Sequence, residues 1–257
     1  MNRIVQLIIC VLLCSSYTVC AQVKIDSLPK GAVVLETRVL SGLNQRSRTL
    51  VLWMWNPKKN PLNYDRNDIY TCPDQTRGSY YSGPARVSLI DTLTNELINT
   101  IKVSSYDAES EDTLDLPYDI RQGFYYRVDT VSRKTAQGKP TIIALRDYNA
   151  DGKALEFALF DAPACMGLQT TLIGYSDKQD KVIQYPIQLV INEQGQRVPT
   201  TLLWADYLLS NKPQRPGHWK YEVDYRGRGG SLDKWEVRYN QTKEQFEGTV
   251  SRIADLP

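Results

Sequence analysis

The sequence has little net charge and only one histidine. Its 31 lysines and arginines nearly balance 29 aspartates and glutamates, which leaves a formal charge of +2 over 257 residues. A nucleic-acid binder needs a strong basic excess, and an acidic disordered chain needs the opposite, so neither class fits. His218 has no second histidine and no cysteine cluster near it in the sequence, so we expect no zinc site.

The common catalytic and phosphate-binding motifs are also missing. The sequence contains no GxxxxGK[ST], HExxH or CxxC pattern. The stretch GYSDK at 174–178 has Lys178 where the nucleophile elbow of a hydrolase needs its second glycine. We therefore assign no catalytic residue, and an enzyme is the less favoured interpretation.

Long apolar runs are absent except at the start of the chain. Arg3 precedes the apolar segment Ile4 to Cys14, and small or polar residues follow as far as Ala21. This order is typical of a secretory signal peptide, and the run is too short to anchor the chain in a bilayer. We expect residues 1–21 to be removed. Residues 22–257 would then form a single exported domain, periplasmic or extracellular, with no transmembrane segment.

Cysteine becomes rare after the signal segment. Cys20 would allow a lipoprotein, but Tyr17 and Val19 do not match a lipobox, so that alternative is less favoured. Only Cys72 and Cys165 lie beyond it. An oxidising compartment favours a disulfide between them, which closes a loop of roughly 100 residues and stabilises by up to ~4.7 kcal/mol. Two separate buried thiols are the alternative.

Alternation of apolar and polar residues dominates the remaining sequence and predicts β-strands. Thr49 to Trp55 is apolar on both faces, which is typical of a central strand covered on both sides. The other predicted strands are Ala32–Leu40, Arg86–Asp91, Glu96–Val103, Phe124–Val131, Thr141–Leu145, Leu155–Phe160, Gln169–Tyr175, Val182–Ile191, Trp219–Tyr225, Leu232–Tyr239 and Phe246–Ile253.

These segments predict a mainly β protein with at most one short helix in the mature chain. The antiparallel β-sandwich, the open barrel and the propeller-like meander all remain open as architectures. The spacing of leucines in Thr200 to Ser210 suits the one helix. Asn56 to Gly83 has the proline, glycine and polar content of a long loop.

One segment has side chains at a spacing that suits a metal ion. Asp147, Asn149 and Asp151 alternate before Gly152, and Glu156 follows at the tenth position. In a tight loop these oxygens would face one centre, which is how proteins bind calcium, and Lys153 would add its backbone carbonyl. The alternative is a plain polar turn, because Asp and Asn side chains cap turns by accepting hydrogen bonds from their own backbone.

The same residues resemble the DxDxDG calcium loop of FG-GAP-like β-propeller repeats. The resemblance covers Asp147 to Glu156 and its flanks, and no family is identified for the whole chain. It implies that a strand enters the loop and another leaves it, with Thr141–Leu145 and Leu155–Phe160 in those places. It departs from an EF-hand, because Ala158 stands where a bidentate carboxylate is needed. A single structural calcium ion is therefore the expected cofactor.

Two functions follow from these patterns. The first is an exported non-catalytic module, used for binding or structure, with a carbohydrate or a protein as its partner. The second is a secreted hydrolase that acts on polysaccharide through a carboxylate pair, drawn from the acidic segment Asp107 to Asp119 or from Glu156. The absence of a recognisable catalytic motif favours the first.

Overall fold

The computed structural model describes residues 27–60, 80–104, 117–121, 141–164, 167–202, 215, 217–227 and 229–254. These residues form strands joined by turns and irregular segments, and none of them is helical. The strands are β1 (Ala32–Val39), β2 (Arg48–Trp55), β3 (Lys58–Asn60), β4 (Tyr80–Asp91), β5 (Leu97–Lys102), β6 (Pro117–Arg121), β7 (Glu156–Ala164), β8 (Gly167–Ser176), β9 (Lys181–Gln184), β10 (Ile187–Glu193), β11 (Gln196–Leu202), β12 (His218–Asp224), β13 (Ser231–Asn240) and β14 (Gln245–Ala254). The mainly β, antiparallel fold class is confirmed.

The strands make three sheets. The first has six strands, with β1, β2, β4 and β3 in order and β5 and β6 also paired with β4. The second is the three-stranded sheet β7-β8-β9, and the third is the five-stranded sheet β11-β10-β14-β13-β12. All pairings are antiparallel except that of β10 with β14, which is parallel. In the described part of the chain, none of the sheets closes on itself.

The three-stranded sheet is the middle layer of the molecule. On one face, Phe157 and Ile173 join the core beneath β2 and β4 of the six-stranded sheet. On the other face, Ala158 and Leu172 join the core of the five-stranded sheet. Because successive residues of a strand point to opposite faces, a sheet buried on both sides separates two hydrophobic cores. This stack of layers fits a β-sandwich.

The pattern of β2 confirms the expected central strand. Leu50, Leu52 and Met54 are fully buried against the middle layer. On the opposite face, Val51 and Trp53 lie in a separate small cluster with Ile90. Trp53 Nε1 also donates to Ser88 Oγ at 2.8 Å, which satisfies the buried indole. The β4–β5 hairpin and the β12–β13–β14 meander likewise form as the alternation predicts.

Two predictions of local structure in the second half of the chain are wrong, one at Thr141–Leu145 and one at Thr200. Thr141 to Leu145 is not a strand, because the Glu36 carboxylate accepts the backbone N–H groups of Ile142 at 2.6 Å and Ile143 at 3.3 Å and holds the segment in an irregular conformation. The helix predicted for Thr200 to Ser210 is wrong at its start, because Thr200–Leu202 is the end of β11, which pairs antiparallel with β10. The remainder of that segment, 203–210, lies outside the described residues.

Several predictions fall on parts of the chain that the structure does not describe. They are the signal segment with Cys20, the strand Phe124–Val131, most of the acidic segment Asp107–Asp119, and both Cys72 and Cys165. The long loop predicted for Asn56–Gly83 lies partly within the described residues, and the prediction is wrong where strands pair there, because Lys58–Asn60 forms β3 against the start of β4. No helix within the described ranges is long and apolar enough to cross a membrane.

Candidate functional site

The loop predicted to bind calcium leads into the first strand of the middle layer. A single antiparallel bridge closes its base, with Arg146 N donating to Glu156 O at 2.7 Å and Glu156 N donating to Arg146 O at 3.2 Å. The strand that leaves the loop is present as β7. No strand enters it, because Thr141–Leu145 is irregular and only this bridge remains. Half of the setting implied by the FG-GAP-like resemblance is therefore absent.

The alternating oxygens of the loop accept its own backbone N–H groups. Asp147 accepts from Asp151 N at 3.2 Å and from Gly152 N at 3.0 Å. Asn149 Oδ1 accepts from Asp151 N at 2.9 Å, and Asp151 Oδ1 accepts from Lys153 N at 2.8 Å. These are the local turns that Asp and Asn side chains form readily. They coil the chain tightly, and Gly152 allows this by adopting a φ of 87°.

Glu156 lies at the bottom of the loop and is fully buried. Its Oε2 accepts the N–H of Tyr148 at 3.0 Å, and its Oε1 accepts Asn149 Nδ2 at 3.0 Å. The pKa of this carboxyl is raised to about 8, chiefly by burial and in part by the nearby Asp151 and Asp147 carboxylates, while the donated backbone N–H groups oppose the rise. The loop thus brings Glu156 and Asn149 into direct contact and holds two further carboxylates close to them.

The space for Glu156 depends on a glycine in the neighbouring strand. Gly174 of β8 pairs with Glu156 of β7. A Cβ atom at Gly174 would lie 2.8 Å from Glu156 Cγ and 2.8 Å from Leu155 O, closer than such atoms can approach. The local sequence around Gly174 does not reveal this requirement, because it depends on the pairing of two strands.

The negative charge of the loop has no basic partner. Within the described ranges, no lysine, arginine or histidine forms an ion pair with Asp147, Asp151 or Glu156. The Lys153 ammonium forms its ion pair with Asp177, just beyond the end of β8; the hydrogen bond with Asp177 raises the pKa of Lys153, and the Asp151 carboxylate of the loop adds to the rise. The prediction that Lys153 contributes only its backbone carbonyl is compatible with this placement.

The predicted ligands supply the kind of donors that suit calcium. Asp147, Asn149, Asp151 and Glu156 offer carboxylate and amide oxygens, and Lys153 offers a carbonyl oxygen, which are the donors that a hard divalent cation prefers. Their side chains are turned toward backbone N–H groups. Among the described residues, no three His, Cys, Asp or Glu side chains converge closely enough to hold a metal ion.

The single histidine, His218, lies between the side chains of Arg215 and Glu236. Arg215 Nε donates to His218 Nδ1 at 3.1 Å, and His218 Nε2 lies 3.2 Å from Glu236 Oε1. Because Nδ1 accepts, the proton lies on Nε2 and is directed at Glu236. Both ring nitrogens are therefore engaged at the start of β12.

No protein-family model, no curated protein and no solved structure matches this chain.

Proposed function

We propose that this protein is an exported, non-catalytic β module in which the loop Asp147–Glu156 binds one structural calcium ion. The export rests on the order of charged, apolar and small residues in the first 21 positions. The module would serve as a binding or structural unit, with a carbohydrate or a protein as its partner. A disulfide between Cys72 and Cys165 belongs to the same proposal, since an exported chain folds in an oxidising compartment.

The cluster of acidic side chains around the buried Glu156 is the observation that carries the calcium proposal. Glu156 is fully buried, and Asp147 and Asp151 stand close enough to raise its pKa. Burying a carboxylate without a cationic partner costs several kcal/mol, and two like charges nearby add to that cost. Because the pKa of Glu156 is about 8, a divalent cation that binds there near neutral pH would displace a proton from Glu156 and replace the present hydrogen bonds of its oxygens, as well as offset the charges of the two aspartates.

A plain polar turn is the competing interpretation, and the hydrogen bonds of the loop suit it as well. Asp and Asn cap such turns almost equally, because the side-chain oxygen that accepts the bond is present in both. In this loop, however, both carboxylate oxygens of Asp147, Asp151 and Glu156 accept hydrogen bonds, which an amide with a single oxygen could not do. The choice of residues therefore suits the turn as well as a cation, and only a measurement of calcium binding separates the two interpretations.

The hydrolase alternative gains no support from Glu156. A catalytic carboxylate must reach the scissile bond, and both oxygens of this buried side chain already accept protein N–H groups. Of the other carboxylates considered for that role, Asp107 to Asp119, only Asp119 lies within the described residues, where it belongs to β6.

Thermal unfolding of the Asp151→Asn variant tests the proposal. The variant removes one charge and keeps the oxygen that accepts Lys153 N, but it gives up the 3.3 Å hydrogen bond from Asn149 Nδ2 to Asp151 Oδ2. We expect calcium at 100 times its dissociation constant to stabilise the wild type by about 2.7 kcal/mol, or about 5–10 °C for a domain of this size. The variant should lose most of that shift.

Asp224→Asn is the matched control. Asp224 is an exposed residue at the end of β12 that pairs with Arg226, so its removal should leave the calcium shift unchanged. Equal melting temperatures of the wild type in calcium and in chelator would contradict the proposal. A variant more stable than the wild type under both conditions would favour the plain turn.

A further inference from the structure

The five-stranded sheet has two edge strands, and only one of them is suited to receive a further strand. At one edge, β11 contains Pro199, which has no N–H group to offer to a neighbouring strand. At the other edge, β12 contains no proline, and within the described ranges it pairs with β13 alone. β12 is therefore the edge at which this sheet can be extended.

The hydrogen bonds between β12 and β13 determine which groups of β12 face outward. Gly217 O, just before β12, accepts Tyr239 N of β13 at 2.9 Å. Bonded positions alternate along an antiparallel pair, so the odd-numbered residues of β12 form the hydrogen bonds with β13. The N–H and C=O groups of Lys220 and Glu222 therefore point toward the outer edge, and both residues are exposed.

The charges on the outer face of the sheet alternate in sign from strand to strand. Glu222 Oε1 lies 3.3 Å from Lys234 Nζ on β13, and Lys220 lies opposite Glu236 in the same pairing. A second β12, laid antiparallel so that Lys220 faces Glu222 of the other copy, would continue both rows with alternating sign. Registers shifted by two residues would place Lys220 opposite Lys220 or Glu222 opposite Glu222. Like charges directly opposite each other destabilise a sheet, so one register is favoured.

We propose that the protein forms a symmetric dimer in which β12 of one chain pairs antiparallel with β12 of a second copy. The two-fold axis passes beside Tyr221, and Lys220 and Glu222 of the two chains exchange backbone hydrogen bonds across it. The five-stranded sheets of the two copies then form one continuous sheet. The dimer does not depend on calcium in the loop, and it goes beyond the function proposed above.

The surroundings of β12 limit the length of this pairing and add an aromatic contact to it. His218 N donates to Arg215 O at 3.0 Å, so Arg215 occupies the edge beside the first residue of the strand. On the inner face, Tyr221 stacks on Trp235 with ring centroids 5.6 Å apart, and the axis would place the two copies of Tyr221 opposite each other. A short pairing of this kind predicts a weak dimer that depends on protein concentration.

Reversing the charges at the edge tests the pairing. The measurement is sedimentation equilibrium of the whole mature chain over a wide range of protein concentration, in which the wild type should form a dimer. Lys220→Glu and Glu222→Lys each place like charges opposite one another across the axis, so each should raise the dimer dissociation constant at least about 10-fold. An equimolar mixture of the two variants restores opposite charges and should form a heterodimer as readily as the wild type dimerises. Recovery in the mixture also shows that both variants are folded.

Lys243→Glu is the matched control, because Lys243 is an exposed lysine in the turn between β13 and β14 that pairs with Glu247. This variant should dimerise as the wild type does. In the wild type, hydrogen exchange at the amides of Lys220 and Glu222 should slow as the protein concentration rises. A wild type that stays monomeric at every concentration would overturn the inference, as would a dimer that both edge variants retain unchanged. Neither outcome affects the calcium proposal.

Discussion

Two acidic segments at the same end of the middle layer hold their carboxylates in opposite ways. In the turn after β8, the Arg48 guanidinium donates to both oxygens of Asp180, at 2.9 and 2.8 Å, and the Tyr175 hydroxyl donates at 2.8 Å. These contacts lower the pKa of Asp180 to about 2. In the neighbouring loop, Glu156 is buried with no basic partner, and its pKa rises to about 8.

The difference shows what each segment needs in order to be stable. The charges of the turn are balanced by groups that the chain itself supplies, with Arg48 also pairing with Asp91 at 2.5 Å. In the loop, Glu156 has no ion-pair partner among the described residues and, with a pKa of about 8, it avoids an unpaired buried charge by holding its proton near neutral pH. On the proposal above, calcium would take the place of that proton. The turn should therefore contribute the same stability in calcium and in chelator, whereas the contribution of the loop should depend on calcium.

Removing Arg48 should have the largest effect. Its side chain is only 12% exposed and joins two carboxylates, so Arg48→Met leaves Asp180 without its main partner and Asp91 without its ion pair. We expect a loss of about 3 kcal/mol in urea unfolding, equal in calcium and in chelator. Arg226→Met removes an exposed arginine from its pair with Asp224 and should cost less than about 1 kcal/mol. A loss of unfolding free energy that differs between calcium and chelator would contradict the distinction drawn here between the turn and the loop.

Filling the space opposite Glu156 should have an intermediate effect. Gly174→Ala places a methyl group 2.8 Å from Glu156 Cγ and from Leu155 O, and overpacking of this kind costs about 2 kcal/mol. Because it displaces Glu156, the variant should also lose part of the calcium-induced shift in melting temperature.

Gly42→Ala provides the comparison for that experiment. Gly42 has a positive φ of 76°, with nothing within 4 Å of an added Cβ, so the variant is strained without touching the loop. It should lower stability and keep the full calcium shift. A full shift in the Gly174 variant would show that the position of Glu156 does not matter for calcium.

Truncating Lys153 should have the smallest effect. Its ion pair with Asp177 is 39% and 37% exposed, and such pairs contribute about 0–1 kcal/mol. Lys153→Met removes the ammonium and keeps the backbone carbonyl, so denaturation in chelator should change by less than about 1 kcal/mol and the calcium shift should persist. Loss of the shift would mean that the side chain, and not the carbonyl, supports the site.

The strands could be predicted from the sequence wherever burial follows a simple alternation. The apolar faces of β2 and the meander that starts at Trp219 are examples, because each residue's environment is set by its own strand. The stacking order could not be predicted. The parallel pairing of β10 with β14 joins residues that are about 60 positions apart, from Ile187 with Phe246 to Glu193 with Arg252, and no local pattern encodes it.

The site was predictable only in its local part. The spacing of Asp147, Asn149 and Asp151 revealed the tight loop, since such side chains bond their own backbone. The contribution of Gly174 depends on the pairing of β7 with β8, so the sequence carried no signal for it. Thr141–Leu145 was misassigned for the same reason, because the carboxylate of Glu36, more than 100 residues earlier, accepts hydrogen bonds from its backbone N–H groups.

Calorimetric titration of the calcium-free mature chain tests the central claim most directly. We predict one calcium ion per chain, with a dissociation constant at or below about 1 mM, as is usual for extracellular calcium sites. The Asp151→Asn variant should bind at least about tenfold more weakly, because it retains the turn but lacks the charge. An absence of binding at millimolar calcium, or equal affinity in the variant, would contradict the account and leave the loop a polar turn.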